Sequence, residues 1–115
     1  MAGVGIDLLE IARLERALER RPGLARRLFT NGELDYASAR SRPGRHLAAR
    51  FCAKEAVVKA LRLGFVPWQE IEVVSGADGA PFVRLAGTLA EHDGKIVVSL
   101  THSDTMAGAV ALAGN

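Results

Sequence analysis

The spacing of apolar residues changes character along the chain, from helical steps in roughly the first half to alternation in the second. In Val4-Gly5-Ile6-Asp7-Leu8-Leu9 the residues Val4, Ile6 and Leu8 fall on one face, which predicts a short strand. From about Glu10 onward Ile11, Leu14 and Leu18 recur at three- and four-residue steps, and Pro22-Gly23 ends the helix they predict. Leu24, Leu28 and Phe29 add another helical turn. Thr30-Asn31-Gly32-Glu33 has the spacing of a capping box and predicts a helix through about Ala39. After the loop Ser41-Arg42-Pro43-Gly44, the longest helical segment runs from Arg45 to Leu63, stopped by Gly64 and Pro67.

Strand signals dominate the rest. Ile71–Val74 and Phe82–Leu85 flank Ser75-Gly76-Ala77-Asp78-Gly79, a hairpin signature. Gly87 to His92 reads as a short helix. Lys95 to Thr101 alternates, Met106 to Ala113 is an apolar run, and His102-Ser103-Asp104 lies in the turn between them. This order predicts an α+β fold, with an antiparallel sheet packed against one long helix and shorter N-terminal helices.

At 115 residues the chain is expected to form a single domain spanning 1–115. One cysteine, Cys52, excludes an internal disulfide framework and a Cys-based zinc site. No apolar run approaches the ~20 residues of a membrane span, and the start lacks the order of a signal peptide. A cytoplasmic protein without a membrane partner is expected.

Charge is uneven. Residues 1–50 hold ten Arg and Lys against six acids, and residues 51–115 hold five against seven. Twelve of the fifteen basic residues are arginine, leaving only Lys54, Lys59 and Lys95. Lysine in so arginine-rich a chain points to places where a compact, mobile ammonium matters.

On the long helix Ala49, Cys52, Ala53, Ala56, Val57 and Ala60 fill one wide arc. Arg50 and Lys54 form one polar stripe, and Glu55 and Lys59 a second, with Phe51 and Val58 as an apolar ridge between them. The second stripe is either an ordinary i,i+4 ion pair or part of a site. Asp7 is unusual within a strand. It is either on an exposed face, a cap for the next helix, or a carboxylate at a site where Gly5 admits another backbone or a ligand. Two carboxylates from separate elements suit Mg²⁺ on a phosphate substrate.

His102 follows a strong strand and opens a turn. It is either a local hydrogen bonder or a contact for a phosphate or base edge. Ser99, His102 and Asp104 lie too close along the chain for a catalytic triad. His46 and His92 read as surface residues. Arg13, Arg16 and Arg20 align as one stripe opposite the apolar face of the first helix. They form a solvated face, partly neutralised by Glu15 and Glu19, or a docking surface for an acidic partner. Nucleic acid is disfavoured, since aromatic residues make up only 5% of the chain.

Taken in order, these segments resemble the holo-acyl-carrier-protein synthase family, the short 4′-phosphopantetheinyl transferases. The resemblance is carried by Gly5-Ile6-Asp7 with Glu10-Ile11, by Thr30 through Glu33-Leu34, and above all by Arg50-Phe51-Cys52-Ala53-Lys54-Glu55-Ala56 with Lys59-Ala60. Asp78-Gly79-Ala80-Pro81 and Val98-Ser99-Leu100-Thr101-His102 complete it. It implies transfer of phosphopantetheine from coenzyme A to a serine of apo-acyl carrier protein for fatty acid biosynthesis, with release of 3′,5′-ADP. It also implies Asp7 and Glu55 as Mg²⁺ ligands, Glu55 as acceptor of the serine proton, and Lys59 on the departing phosphate. Arg42, Arg50, Gly64, Pro81, Thr101, His102 and Ser103 would contact coenzyme A, and Arg13, Arg16 and Arg20 would dock the acidic carrier.

A homotrimer with shared sites is implied as well, with Ala107, Ala109 and Ala111 expected to fill its interface. Cys52 departs from a usual alanine, Arg62 from a frequent glycine and Ala80 from a common lysine. The competing expectation is a catalytically silent basic module that binds carrier proteins or nucleic acid.

Overall fold

The structure, a computed structural model, describes residues 2–114. Its organising element is the long helix α4, Pro43–Leu61. Pro43 begins it two residues before the predicted start, because a proline at the first helical position loses no hydrogen bond. Arg62 ends it in the left-handed conformation, φ 58° and ψ 42°, where glycine is the easier residue.

Ahead of α4 come β1 (Gly3–Glu10), α1 (Ile11–Arg20), α2 (Leu24–Leu28) and α3 (Asn31–Ser38). The predicted capping box of α3 forms in full: Thr30 Oγ1 accepts from Glu33 N, and Glu33 Oε1 accepts from Thr30 N. After α4 come β2 (Ile71–Ser75), β3 (Pro81–Leu85), β4 (Ile96–His102) and β5 (Met106–Ala113), with short 3₁₀ turns at Trp68–Glu70 and Gly87–His92.

All pairings are antiparallel, but the strands divide into two sheets rather than one. β1-β5-β4 forms a three-stranded sheet and β2-β3 a separate hairpin. The predicted apolar arc of α4 covers the inner face of the larger sheet, and Cys52, Ala53, Ala56 and Val57 are wholly buried there. Gly3 and Gly5 make this approach close: a Cβ at Gly5 would collide with the carbonyl oxygen of Ala56, and one at Gly3 with that of Ala60. The backbone that Gly5 admits is therefore α4.

Two expectations are corrected here. Ala107, Ala109 and Ala111 do not face outward to an interface; they lie buried on the inner face, where small residues let α4 sit down. The outer face is instead formed by their alternate neighbours. Val4, Ile6 and Leu8 pair across with Leu112, Val110 and Gly108, and Val97 pairs with Leu112 from the other side. Of these, Ile6 is 65% exposed and Val97 64% exposed, so the face that Val4, Ile6 and Leu8 share, as predicted, is the open one.

The second correction concerns the Arg50–Lys54 stripe, which is buried rather than polar surface. Lys54 Nζ lies 2.6 Å from Glu33 Oε1 and donates to the carbonyls of Leu28 (2.8 Å) and Trp68 (2.9 Å). The other Glu33 oxygen accepts from Val73 N at 2.7 Å, so one ion pair ties α2, α3, α4 and β2 together. Among the described residues no helix is long and apolar enough to cross a membrane.

Candidate active site

β1 turns Asp7 toward α4 because its neighbours Ile6 and Leu8 take the outer face. On α4, Glu55 and Lys59 point back toward β1. Lys59 Nζ donates to the Ile6 carbonyl at 2.8 Å and lies 3.3 Å from Asp7 Oδ1. Its ion pair thus crosses between elements instead of running along the helix to Glu55. Burial raises the pKa of Glu55, Asp7's charge raises it further, and Lys59 only partly opposes them. Beneath them the Cys52 thiol is buried and pushed up to about 12, first by burial and then by Asp7. It stays protonated, as befits a packing residue.

Asp7, Glu55 and Lys59 line one groove of about 490 Å³, walled by Leu9, Leu14, Leu28 and Phe51. Arg13 joins them at its edge. Arg16 and Arg20 continue from Arg13 along the exposed side of α1. Among the described residues there is no group of three or more His, Cys, Asp or Glu that could hold a metal. What the groove offers is a pair of carboxylates with an ammonium beside them.

A second pocket, of about 180 Å³, lies on the other flank of α4 and shares no lining residue with the groove. It gathers Arg50, Pro81 and His102 with Tyr36, His46 and Ser75. Arg50 is 5% exposed, reaches Ser75 Oγ at 3.5 Å, and its Nε has no hydrogen-bond partner among the described residues. No acidic residue lines this pocket.

The remaining predicted contacts are dispersed. Thr101 faces the outer side of β4, opposite to His102, and lines a shallow depression with Ile6, Leu8 and Gly108. Ser103 is exposed and its Oγ accepts from Thr105 N and Met106 N, closing the β4–β5 turn. Arg42 is held by Glu15, with Nη2 to Oε1 at 3.1 Å, and donates to the Asp104 carbonyl. Gly64 is exposed just beyond the C-terminal end of α4, the end remote from Arg42 and His46.

A family model described as the 4′-phosphopantetheinyl transferase superfamily matches residues 3–112. The chain belongs to this superfamily. A holo-[acyl-carrier-protein] synthase of Moorella thermoacetica is 50% identical over 97% of this chain and 93% of its own. The Streptomyces griseus protein of the same name is 44% identical over 96% of each chain. Among solved structures, the holo-(acyl-carrier-protein) synthase of Bacillus anthracis in complex with CoA (3′,5′-ADP) superposes with a TM-score of 0.82. It is 32% identical over 96% of this chain and 94% of its own. The acyl carrier protein synthase of Mycobacterium tuberculosis gives a TM-score of 0.75 at 43% identity, over 96% and 94%.

Within this transferase fold, sequence reasoning missed the roles of Tyr36, His46 and Glu33. The capping box singled out Glu33, yet nothing local in it reveals a buried partner on α4. His46, expected at the surface, is half-buried between Tyr36 and His102.

Proposed function

We propose that this single-domain protein is a holo-acyl-carrier-protein synthase. It transfers the 4′-phosphopantetheine group of coenzyme A to a serine of apo-acyl carrier protein, serving fatty acid biosynthesis in the cytoplasm and releasing 3′,5′-ADP. The observation that carries this reading is the meeting of Asp7, Glu55 and Lys59 in one groove.

Asp7 and Glu55 fit Mg²⁺, which takes one or two carboxylates and completes its shell with phosphate oxygens and water. Burial first, and then the charge of Asp7, raise the pKa of Glu55, and a divalent cation between the two carboxylates would favour its ionised form. When bound, the ion supplies charge neutralisation on the pyrophosphate of the donor. Glu55 accepts the proton of the attacking serine hydroxyl. Lys59 exchanges its hold on Asp7 for the departing phosphate, stabilising the charge that grows there. Arg13, Arg16 and Arg20 form a cationic approach to the same groove for an acidic carrier protein.

Arg50, Pro81 and His102 receive the remote end of coenzyme A. A pocket with a buried guanidinium, the exposed imidazole of His102 and no acid suits the 3′-phosphate monoester. The pocket and the groove share no lining residue and lie on different flanks of α4, so within one chain the helix stands between the two ends of the donor. The exposed apolar outer face of β1-β5-β4 supports a homotrimer in which the two sites face each other across a subunit boundary. Thr101 on that face, with Ser103, Arg42 and Gly64 near its ends, would then contact the donor from a neighbouring copy.

Mass-spectrometric detection of phosphopantetheine on a carrier incubated with coenzyme A and Mg²⁺ tests the proposal. A carrier left unmodified, while binding the protein, would support a silent module instead.

A further inference from the structure

Behind His102, the pocket contains an ordered pair of rings, His46 and Tyr36, to which the donor contacts above assign no role. The His46 and His102 rings meet edge to face, with centroids 5.7 Å apart and planes at 75°. Tyr36 also meets His46 edge to face, at 5.8 Å and 73°. Tyr36 is itself fixed: the Arg40 guanidinium lies 3.4 Å from its ring centroid and that of Arg50 lies 3.9 Å from it. The run of rings therefore starts from a clamped ring on α3, passes through His46 on α4, and ends on the exposed ring of His102 at the end of β4.

His102 needs such support. It is the last residue of its strand, it is exposed, and no hydrogen bond fixes its ring among the described residues. Left alone, a side chain in that position samples several rotamers, and ordering it on a ligand costs free energy. His46 is suited to hold it without competing for an anion. Burial foremost, and then the charges of His102, Arg50, Arg45 and Arg40, push its pKa down, which favours the neutral ring.

We propose that His46 is a positioning residue of the donor site: its ring, backed by Tyr36, holds the His102 imidazole in the orientation that meets the 3′-phosphate of the donor. This rests on the reading of the pocket as the seat of that phosphate. His46 acts through His102, and its contribution appears only with donors that carry the monoester.

Steady-state transfer to apo-carrier by the full chain, with coenzyme A and with 3′-dephospho-coenzyme A, tests the assignment. Wild type is expected to prefer coenzyme A. His46→Ala should cut that preference about fivefold, the scale of one aromatic pair, through KM for coenzyme A rather than kcat. His46→Phe, which keeps the ring edge but no ring nitrogen, should recover most of the preference. Circular dichroism on each variant checks that the fold survives. An unchanged preference in His46→Ala, an equal loss with both donors, or a failure of His46→Phe to recover would overturn the positioning role alone. A wild type that does not distinguish the donors would overturn the reading of the pocket and the inference with it.

Discussion

Lys59 sets its ammonium 3.3 Å from the carboxylate of Asp7, on a different element, although Glu55 lies one turn back on its own helix. The pair joins strand to helix where the chemistry is proposed to occur. It is also open to solvent, with the Lys59 side chain 52% exposed, so it adds little to stability. Lys59→Met should therefore lower kcat by roughly a hundredfold, as loss of one charged stabiliser of the leaving group does. Its thermal midpoint should stay within about 5 °C of wild type, given a pair worth ~0–1 kcal/mol. A large drop in midpoint with activity retained would show Lys59 to be structural.

Glu55 is the reverse case. Its pKa in the folded protein is raised above the unfolded value, so ionising it costs the native state free energy. That cost is absent at low pH, where Glu55 is protonated in both states, and appears as pH rises from about 4.5 through the folded pKa. Glu55→Gln should thus match wild type in thermal stability near pH 4 and exceed it at pH 7, while losing turnover. Mg²⁺ should raise the midpoint of wild type at pH 7 more than that of the variant. A variant less stable than wild type at pH 7 would contradict the sign of the shift.

The buried pair of Lys54 and Glu33 answers to different arithmetic. Removing one partner leaves a charge without a counter-charge in the interior, at about 3–5 kcal/mol. Lys54→Met and Glu33→Gln should each lower the urea midpoint strongly, and the double variant should lie well above the sum of the two losses. Additive losses in that cycle would mean that the 2.6 Å contact carries no coupling.

The outer face of the three-stranded sheet yields a prediction about assembly. Ile6→Lys or Leu112→Lys places a charge in the middle of the exposed apolar surface without touching the core. Either should reduce the sedimenting species from three copies to one and abolish transfer, while the far-ultraviolet spectrum stays native. A wild-type chain that sediments as an active monomer would remove the need for a shared site.

Much of the fold was readable locally. The arc Ala49 to Ala60, the capping box at Thr30 and the alternation in β4 are short-range patterns, and each became the element it predicted. What period alone does not disclose is which side of an amphipathic element is covered. Val4, Ile6 and Leu8 share a face in any strand, but only the presence of α4 decides that their face is the open one. Likewise Lys54 reads as surface until α3, 21 residues upstream at Glu33, is seen to close over it. Asp7 and Glu55 became a pair through family resemblance, since no spacing links residues so far apart. His46 reads as a surface residue in the sequence because its meaning depends on two other rings, Tyr36 and His102, from separate elements.

The seam where Gly3 and Gly5 meet the carbonyls of Ala60 and Ala56 has a consequence for how the groove behaves over time. Main-chain atoms have no rotamers, so the gap between the two carboxylate-bearing elements carries none of the slack that side-chain packing would bring. Warming the protein or repacking its core should leave that gap almost constant, and the main-chain positions from which the two carboxylates extend would keep a preset spacing before any substrate arrives.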